Sequence, residues 1–257
     1  MCALLVMAVY DTEENGRSEY TKETLLCLRD TVDWKKHRMV ISDNGSCEET
    51  QKILTKYGTL IGAHVIHNGE NLGTAKGVNK GLASRKPQEY CIKLDNDIKI
   101  HSSGWVDEME EAIERDPNIG VLGLKRKDLI QTTWHDDPTF KTELIMLPHE
   151  PGKRWINVEA SVDVMGTCTM YNWRLIDTIG GLKQPGLYGL DDTLYNLRSR
   201  LAGFYNAFLP HIEIDHIDRG DNGYVKQKHQ LAGQAWPEYH VWHQQYIDGV
   251  RPLYETI

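Results

Sequence analysis

The sequence predicts an α/β fold in which a mostly parallel sheet is flanked by helices. Apolar runs such as Ala3–Val9 and Tyr90–Leu94 recur at intervals of about 30 residues, the usual length of a βαβ unit. Helix-length amphipathic segments lie between these runs, so successive strands are expected to pair in parallel. With 257 residues, of which 40% are hydrophobic, the chain can form a sizeable core in one large domain or two small ones.

The first half of the chain alternates regularly between predicted strands and helices. Ala3–Val9 is continuously apolar, as expected for a strand that is buried on both faces. Ser46 and Glu49 match a capping box, in which each side chain bonds a free backbone N–H at the start of a helix. After the first strand, the predicted elements are a helix over Tyr20–Asp30, the strand Arg38–Ser42, the helix that follows Ser46, the strand Leu60–Ile66, the helix Gly73–Ala83 and the strand Tyr90–Leu94.

The second half of the chain is less regular. Trp105–Asp116 is predicted to be a helix with an acidic outer face, whereas Lys125–Trp155 mixes charges, prolines and tryptophans and is expected to leave the core. The later predicted elements are the strand Val162–Tyr171, a helix near Trp173–Ile179, a helix from Leu190 and the strand Phe208–Ile214. The chain beyond Asp218 is polar and aromatic, and four side chains are expected to pack this tail on the rest of the protein: Trp236, Tyr239, Trp242 and Tyr246.

The composition excludes several classes of protein. The chain has 29 Lys and Arg against 37 Asp and Glu, which gives a formal charge of −8. An acidic chain lacks the net positive charge that favours general binding to nucleic acid or anionic membranes. The longest apolar run, Cys2–Val9, is much shorter than the roughly 20 residues of a transmembrane helix. The five cysteines contain no CxxC pair, and the N-terminus lacks the pattern of a signal peptide. A reducing, cytoplasmic location is therefore expected.

Polar clusters follow three of the predicted strands. Ser42–Ser46 follows the second strand, Asn68–Gly73 the third and Asp95–Asp97 the fourth. Since ligands of open parallel sheets bind outside the carboxyl ends of the strands, the three clusters are expected to converge on one site.

The cluster Asp95–Asp97 is the most informative of the three. An Asp-x-Asp sequence after a buried strand places two carboxylates where they can hold a hard divalent cation, which often bridges to phosphates. Asp-x-Asp is also common in ordinary turns. In combination with the other two clusters, it predicts a site for a metal ion and a diphosphate.

The order and spacing of these motifs resemble family 2 glycosyltransferases, a group of inverting enzymes with the GT-A fold. The resemblance implies a GT-A-type fold, a nucleotide-diphosphate sugar as donor, with a UDP-sugar favoured, and Mn²⁺ or Mg²⁺ as cofactor. It implies a domain over residues 1–217, with a nucleotide-sugar half (1–98) and an acceptor half (99–217), and a C-terminal extension over 218–257 packed on that domain. The matching segments are Ser42–Ser46, Asn68–Leu82, Lys93–Ile98, Val164–Leu182 and Leu190–Phe204.

The resemblance assigns donor-binding residues by position. Asp43 corresponds to the acidic residue that contacts the donor base, and Val9 and Tyr10 correspond to the lining of the nucleotide pocket. Lys76 and Asn79 lie on the helix predicted over Gly73–Ala83. The alternative to nucleotide contact is that these two side chains belong to an ordinary solvated face of that helix. The stretch that approaches the nucleotide comprises Asn71, Gly73, Lys76 and Asn79.

The resemblance also implies a metal site after the fourth strand. Asp97 is expected to be the more direct ligand, while Asp95 faces the ribose or the metal and Asn96 lies beside the donor. His216 corresponds to a histidine that completes the metal site in many relatives. The alternatives to His216 are His211, Asp215 and Asp218.

Asp191 and Asp192 resemble the Glu-Asp motif of the family at the start of a helix. Acids are favoured there by the helix dipole alone, so a simple N-terminal role is the alternative. The functional interpretation is a general base that takes the proton of the acceptor hydroxyl, and Asp192 occupies the Asp position of the pair. The first acid of the motif is Asp here instead of Glu, so Asp191 stays a second candidate.

The residues leave the acceptor and two rival functions open. A glycan, a lipid-linked sugar, a protein or a small molecule are all compatible acceptors, whereas the acidic charge disfavours a modified nucleic acid without excluding it. The sugar and the oligomeric state stay undefined. A nucleotidyltransferase would usually carry a basic, Gly-rich loop after the first strand, whereas this loop is acidic and has one glycine, Gly16. A degenerate sugar-nucleotide-binding module is disfavoured by the intact acids, and retaining chemistry is a further alternative.

Other residues are candidates for contacts with sugar. Gly166 and Thr167 fall in a segment that lies under the sugar and acceptor in the family. Trp134, His135 and Trp155 suit stacking on a sugar or aglycone, and a packed flap is the alternative for them.

Overall fold

The computed structural model describes residues 2–127, 142–149, 151–218 and 223–257, so Trp134 and His135 lie outside the described residues. Within these ranges, ten strands form one sheet. The strands are β1 (Ala3–Val9), β2 (Arg38–Asp43), β3 (His64–His67), β4 (Tyr90–Leu94), β5 (Ile98–Ile100), β6 (Ile119–Arg126), β7 (Glu143–Met146), β8 (Asn157–Ser161), β9 (Cys168–Tyr171) and β10 (Tyr205–His216). The helices are α1 (Ser18–Thr31), α2 (Glu48–Leu60), α3 (Thr74–Leu82), α4 (Trp105–Arg115), α5 (Trp173–Ile179), α6 (Asp191–Leu201) and α7 (Gly223–Ile247).

The sheet confirms the predicted α/β class. Its strand order is β3-β2-β1-β4-β9-β6-β10-β8-β7, and β5 pairs with β10. The four strands from β3 to β4 are parallel, and β9 then joins β4 to β6 in antiparallel pairings. The register aligns Val9 with Asp43, so β1 and β2 end at the same edge of the sheet. The carboxyl ends of the parallel strands therefore meet at one edge, as the polar clusters predict.

Both faces of the sheet are buried, which explains the continuously apolar run of β1. Leu5 and Met7 pack into one hydrophobic cluster with α1 and α4, and Leu4 and Val6 pack into a second cluster on the opposite face. Alternate side chains of a strand point to opposite faces, so a strand between two helix layers needs apolar residues at every position.

The helix predicted to follow Ser46 is present, but the predicted capping box at its start is not. Helix α2 begins at Glu48, and the residue before it, Cys47, makes no side-chain cap bond. The Ser46 hydroxyl instead accepts a hydrogen bond from the backbone N–H of Asp11, at 3.1 Å. This contact ties the loop after β1 to the loop after β2, and such a long-range contact leaves no local pattern in the sequence.

The described part of the stretch Lys125–Trp155 contains a strand that its composition does not predict. This strand, β7, pairs with β8 in an antiparallel ladder at the end of the sheet. Ile156 and Val158 are fully buried beneath this ladder. Trp155 is 61% exposed and stacks on His149 at 3.9 Å between ring centroids.

The polar, aromatic C-terminal tail forms the long helix α7, which packs on α6. Tyr239 and Tyr246 are buried against Leu194 and Leu197 of α6, as expected of the tail aromatics. Trp236 is 44% exposed and does not share this role. No helix of the described ranges combines the length and apolarity that crossing a bilayer requires.

A backbone clamp holds the last residues of the chain against α5. The N–H of Glu255 donates to the carbonyl of Ile179, and the N–H of Gly181 donates to the carbonyl of Glu255, at 2.9 and 2.8 Å. Gly180 lies between them with φ 74° and ψ −146°, a backbone region that only glycine enters easily. A Cβ at this position would overlap the carbonyl oxygen of Glu255.

Gly180→Ala is therefore expected to lower the free energy of unfolding by about 3 kcal/mol or more, because backbone strain adds to the steric clash. Gly203→Ala is the matched control: Gly203 also has a positive φ, 89°, but a Cβ there meets nothing within 4 Å. Denaturant unfolding of both variants measures the difference. Equal losses in the two variants would contradict the clamp.

Candidate functional site

A cavity of about 460 Å³ opens at the carboxyl ends of β1 and β4. It is bounded by the loops after these strands, the N-termini of α3 and α6, and one face of α7. Eleven of the candidate residues proposed from the sequence line it: Val9, Tyr10, Asn71, Gly73, Asp95, Asn96, Asp97, Gly166, Thr167, Asp191 and Asp192. The convergence of separate polar clusters on one site, which the strand order predicts, is thus present.

Asp97 lies at the centre of a buried charge network. The Arg17 guanidinium donates to Asp97 Oδ2 at 2.6 Å and also pairs with Asp218. His216 Nε2 lies 3.3 Å from the same Asp97 oxygen, and His216 Nδ1 donates to the carbonyl of Asp218 at 3.1 Å. Burial opposes ionisation of Asp97, but the His216 hydrogen bond and the Arg17 charge outweigh it and hold the Asp97 pKa below its usual range. Asp97 is therefore a carboxylate at neutral pH.

The donor atoms around Asp97 have the chemistry that a hard divalent cation requires. Asp97 Oδ1 is buried and has no hydrogen-bond partner among the described residues. The Nδ1–H of His216 donates to a carbonyl, so Nε2 could bind a metal ion once it releases the proton that it directs at Asp97. Within the described ranges, however, no three or more His, Cys, Asp or Glu side chains form a preassembled metal cluster. The residues fit a cation that a second ligand, such as a diphosphate, helps to hold.

Asp95 lies in the same cavity in a different electrostatic state. Burial raises its pKa to about 6, Lys93 opposes the rise and the neighbouring charge of Asp97 adds to it. The backbone N–H of Asp95 donates to the carbonyl of Thr167 at 2.9 Å, which ties the end of β4 to the loop before β9. A cation between Asp95 and Asp97 would relieve their mutual repulsion.

Asp191 and Asp192, at the start of α6, differ in their partners. Asp191 is 3% exposed, and its carboxylate accepts a hydrogen bond from Lys93 Nζ at 2.9 Å. Asp192 accepts from the backbone N–H of Gly166 and of Thr193, both at 2.9 Å, and faces no cationic side chain at hydrogen-bond distance among the described residues. Burial raises the Asp192 pKa, and the charge of Asp191 raises it further.

Gly166 makes this arrangement possible. A Cβ on Gly166 would overlap Lys93 Nζ and would lie 3.1 Å from Asp192 Cβ. The absence of a side chain lets Lys93 reach Asp191 while Asp192 stays within hydrogen-bond distance of the Gly166 backbone.

Gly166→Ala is expected to lower the catalytic rate by about tenfold to a hundredfold, because the added Cβ would push Lys93 away from Asp191 and shift Asp192. Gly233→Ala, where a Cβ meets open space, is the control and should keep the wild-type rate. Steady-state kinetics of both variants, with thermal unfolding as a check on folding, tests this. An unchanged rate in the Gly166 variant would contradict the packing argument.

Three of the proposed donor-binding residues do not line the cavity. Asp43 lies under the loop after β2, where it accepts a hydrogen bond from the Ser46 N–H and pairs with His67, both at 2.8 Å. Asn79 bonds the backbone N–H and carbonyl of Leu182, both at 2.9 Å, so it ties α3 to the segment after α5. Lys76 is exposed on α3.

The structure distinguishes the candidates for the histidine of the metal site. His216 is the histidine beside Asp97, although it does not line the cavity itself. His211 pairs instead with Glu108 of α4. Asp215 pairs with His101 and Lys127, and Asp218 is joined to Arg17.

Part of the cavity lining comes from residues that no sequence motif indicates. Lys93 does leave a signal, since a lysine inside the buried strand Tyr90–Leu94 requires a charged partner. Tyr224 and Lys228 have the i, i+4 spacing of one helix face, but the weak apolar pattern of the tail hides the helix. The cavity-lining residues without a prior assignment include Arg17, Lys93, Arg126, Tyr188, Tyr224 and Lys228.

Solved structures with the same fold include glycosyltransferases of the GT-A type. The mannosyltransferase PcManGT from Pyrobaculum calidifontis, in complex with GDP-Man and Mn²⁺, has a TM-score of 0.65 and 13% identity, over 92% of this chain and 63% of that one. S. aureus TarS 1–349 in complex with UDP-GlcNAc has a TM-score of 0.61 and 16% identity, over 85% and 61%. GalNAc-T7 with UDP, GalNAc and Mn²⁺ has a TM-score of 0.61 and 15% identity, over 85% and 44%.

At these identities the likeness shows the fold alone, and this chain spans less than two thirds of each neighbour. A comparison with curated proteins finds no match. The model of glycosyl transferase family 2 matches residues 5–180, which is more than half of the chain and includes the Asp95–Asp97 cluster. The resemblance inferred from the motifs is therefore confirmed: the chain belongs to glycosyl transferase family 2 and has the GT-A fold.

Proposed function

We propose that this protein transfers a sugar from a nucleotide-diphosphate sugar to an acceptor hydroxyl, with a divalent metal ion and with inversion at the anomeric carbon. One observation carries the proposal: the Asp95–Asp97 pair, with its unpartnered buried oxygen, and the Asp191–Asp192 pair line the same cavity. The first pair suits a metal–diphosphate group and the second suits an acceptor hydroxyl. A cavity of about 460 Å³ is within the usual size range of small-molecule sites, about 300–1,000 Å³.

A UDP-sugar is the favoured donor in this proposal. The family resemblance favours it, and two of the structural neighbours named above are complexes with UDP or UDP-GlcNAc. The neighbour with GDP-Man makes a GDP-sugar the next candidate. The acceptor, whether glycan, lipid, protein or small molecule, is left open.

Asp95 and Asp97, with His216, would hold Mn²⁺ or Mg²⁺, which stabilises the charge that develops on the leaving diphosphate. Asp97 would bind through Oδ1, because its Oδ2 is bonded to Arg17. Arg17 keeps Asp97 ionised and fixes its orientation. Val9 and Tyr10 would line the nucleoside part of the site.

Asp192 would be the general base. The acceptor oxygen forms a bond to the anomeric carbon, the bond from that carbon to the diphosphate oxygen breaks, and Asp192 takes the acceptor proton. Asp191 is less suited to this role because its carboxylate is already bonded to Lys93 and is almost fully buried. The Asp191–Lys93 pair would instead hold the start of α6 in position.

A thermal-shift panel of UDP, GDP, CDP and ADP and of the four corresponding triphosphates, each with and without Mn²⁺, tests the proposal. A ligand that binds only the native state stabilises it by about 2.7 kcal/mol at a hundredfold excess over Kd. Stabilisation by one nucleoside diphosphate that requires Mn²⁺ and is lost in Asp97→Ala is expected. Stabilisation by triphosphates but not diphosphates would favour a nucleotidyltransferase, and no shift with any nucleotide would favour a degenerate module.

A further inference from the structure

Helix α7 contributes one face to the cavity. Tyr224, Lys228 and Leu231 line it, at the spacing i, i+4 and i+7 that aligns residues on one side of a helix. Farther along this face, Ala235 lies close to Gly186, where an added Cβ would be 3.3 Å from the Cβ of Ala235. Tyr239 is buried against α6. The helix is therefore seated on the domain by apolar contacts, and its first turns present a lysine to the proposed donor site.

Lys228 differs from the paired cations of the cavity. Arg17 is bonded to two carboxylates and Lys93 to one, at 2.9 Å. The Lys228 ammonium finds its closest carboxylate, within the described ranges, at 4.0 Å, on the Asp218 oxygen that Arg17 already binds. This distance is too long for a hydrogen bond. No described residue accepts a hydrogen bond from Lys228.

The surroundings of Lys228 are aromatic. Its Nζ lies 4.6 Å from the ring centroid of Tyr224 and 5.3 Å from that of Tyr188. Ring faces attract a cation, but they leave the three N–H donors of an ammonium without oxygen acceptors. The Lys228 side chain is only 19% exposed, so water replaces those acceptors incompletely. Such a group is stabilised by an anion that enters the cavity.

The position of Lys228 identifies which part of a donor would supply that anion. Lys228 lines the same cavity as Asp95 and Asp97, and the charges of both act on it. A metal ion at the carboxylate pair would recruit the diphosphate to this region, and the diphosphate has oxygens left over after metal binding. We propose that Lys228 donates hydrogen bonds to the diphosphate of the nucleotide sugar and stabilises it as the leaving group, an inference that rests on the proposed function.

This role has two consequences that a purely structural lysine lacks. The contribution of Lys228 to binding depends on the phosphate count of the ligand, since the contact is made to the diphosphate and not to the nucleoside. The stabilisation by Lys228 also increases as the leaving diphosphate gains charge in the transition state. The loss of Lys228 therefore lowers kcat in addition to donor affinity. Burial and the Arg17 charge lower the pKa of Lys228, whereas the charges of Asp97 and Asp95 raise it. A bound diphosphate would act in the same direction as these two carboxylates and help to keep Lys228 protonated.

The test compares Lys228→Met with Lys228→Arg and with a matched control. Methionine keeps the aliphatic stem and removes the charge, whereas arginine restores a cation that binds phosphate. Lys56→Met is the control, because Lys56 also lies over an aromatic ring, Tyr57 at 5.1 Å, but is exposed on α2 away from the cavity. Thermal unfolding of each variant without ligand checks folding.

The measurement is calorimetric titration with uridine, UMP and UDP in the presence of Mn²⁺, or with the guanosine series if GDP is the ligand that the panel selects. Lys228→Met is expected to weaken UDP binding about 10- to 100-fold, the range for a hydrogen bond between charged groups, to weaken UMP less and to leave uridine unchanged. Lys228→Arg should recover most of the UDP affinity, and Lys56→Met should match the wild type.

Two outcomes overturn the inference alone: UDP binding that Lys228→Met leaves intact, or an equal loss for uridine, UMP and UDP, which marks a structural role. If the wild-type protein binds none of the nucleoside diphosphates, the proposed function fails and this inference fails with it. The wild-type titration therefore separates the two claims.

Discussion

Replacing Asp192 by asparagine is expected to lower the rate of sugar transfer by about 10²–10⁴-fold, the usual contribution of a general base, and to leave nucleoside diphosphate binding unchanged. The amide has nearly the same shape, but its single oxygen can accept only one of the two hydrogen bonds that Gly166 and Thr193 donate to the two carboxylate oxygens. Thermal unfolding of the variant therefore checks that the start of α6 persists. What the amide loses is the ability to take a proton from the acceptor.

The pH dependence of the wild-type rate provides a second test of the same assignment. A general base acts only when it is deprotonated, so the rate falls as the pH drops through its pKa. Because burial and Asp191 raise the Asp192 pKa, the acid limb of the kcat profile is expected above the ordinary carboxyl range of about 4. The limb should be absent from the residual activity of Asp192→Asn.

Asp163→Asn is the control for this prediction. Asp163 is near enough for the Asp192 charge to act on it, and its own pKa is raised to about 6, first by burial and then by that charge. It does not line the cavity, so its variant should keep the wild-type rate within a few-fold. A profile that loses its acid limb in Asp163→Asn but keeps it in Asp192→Asn would reverse the assignment.

Replacing Asp97 by asparagine is expected to abolish the Mn²⁺-dependent part of donor binding, a loss of about 100-fold or more in donor affinity at saturating metal. The amide supplies a neutral oxygen where the site offers an unpartnered carboxylate oxygen. It also removes one of the two carboxylates that bind Arg17 and the carboxylate beside His216. Breaking one partner of a buried ion pair also destabilises a protein by about 3–5 kcal/mol. The binding assay therefore needs a variant that leaves the Arg17 pair intact.

Asp95→Asn supplies that variant, since Asp95 makes no ion pair with Arg17 in the described residues and its side chain lines the same cavity. It should weaken the Mn²⁺ dependence while the thermal stability without ligand stays close to that of the wild type. Asp177→Asn, which removes a half-exposed partner of Arg85, should change neither quantity by much. Retention of full Mn²⁺ dependence in both cavity variants would contradict the metal assignment.

The sheet and the acidic clusters could be predicted because both depend on short segments. A buried parallel strand such as Ala3–Val9 must be apolar throughout, and the strand order then determines which loops share an edge. That is why the clusters Asn68–Gly73 and Asp95–Asp97 could be expected at one site, since each follows a strand of the parallel sheet. Asp191 and Asp192 required the family resemblance as well, because a helix start explains acids equally well.

The partners of these acids could not be predicted, since they come from distant parts of the chain. Arg17 lies in a loop whose composition is acidic, yet it is the cation that fixes Asp97. Asn79 resembles a nucleotide contact in sequence, but its amide bonds the backbone of Leu182, more than 100 residues away. Lys228 depends on how α7 docks, and that docking is set by buried tyrosines that leave no regular period.

The most direct test of the central claim is a crystal structure of the protein with Mn²⁺ and the nucleotide sugar whose nucleoside diphosphate binds in the thermal-shift panel. Anomalous scattering at the manganese edge locates the metal independently of the sugar. The expected result is manganese at Asp95 and Asp97, the diphosphate beside it and the anomeric carbon facing Asp192. Manganese or the diphosphate bound outside this cavity, or an anomeric carbon turned away from Asp192, would contradict the account.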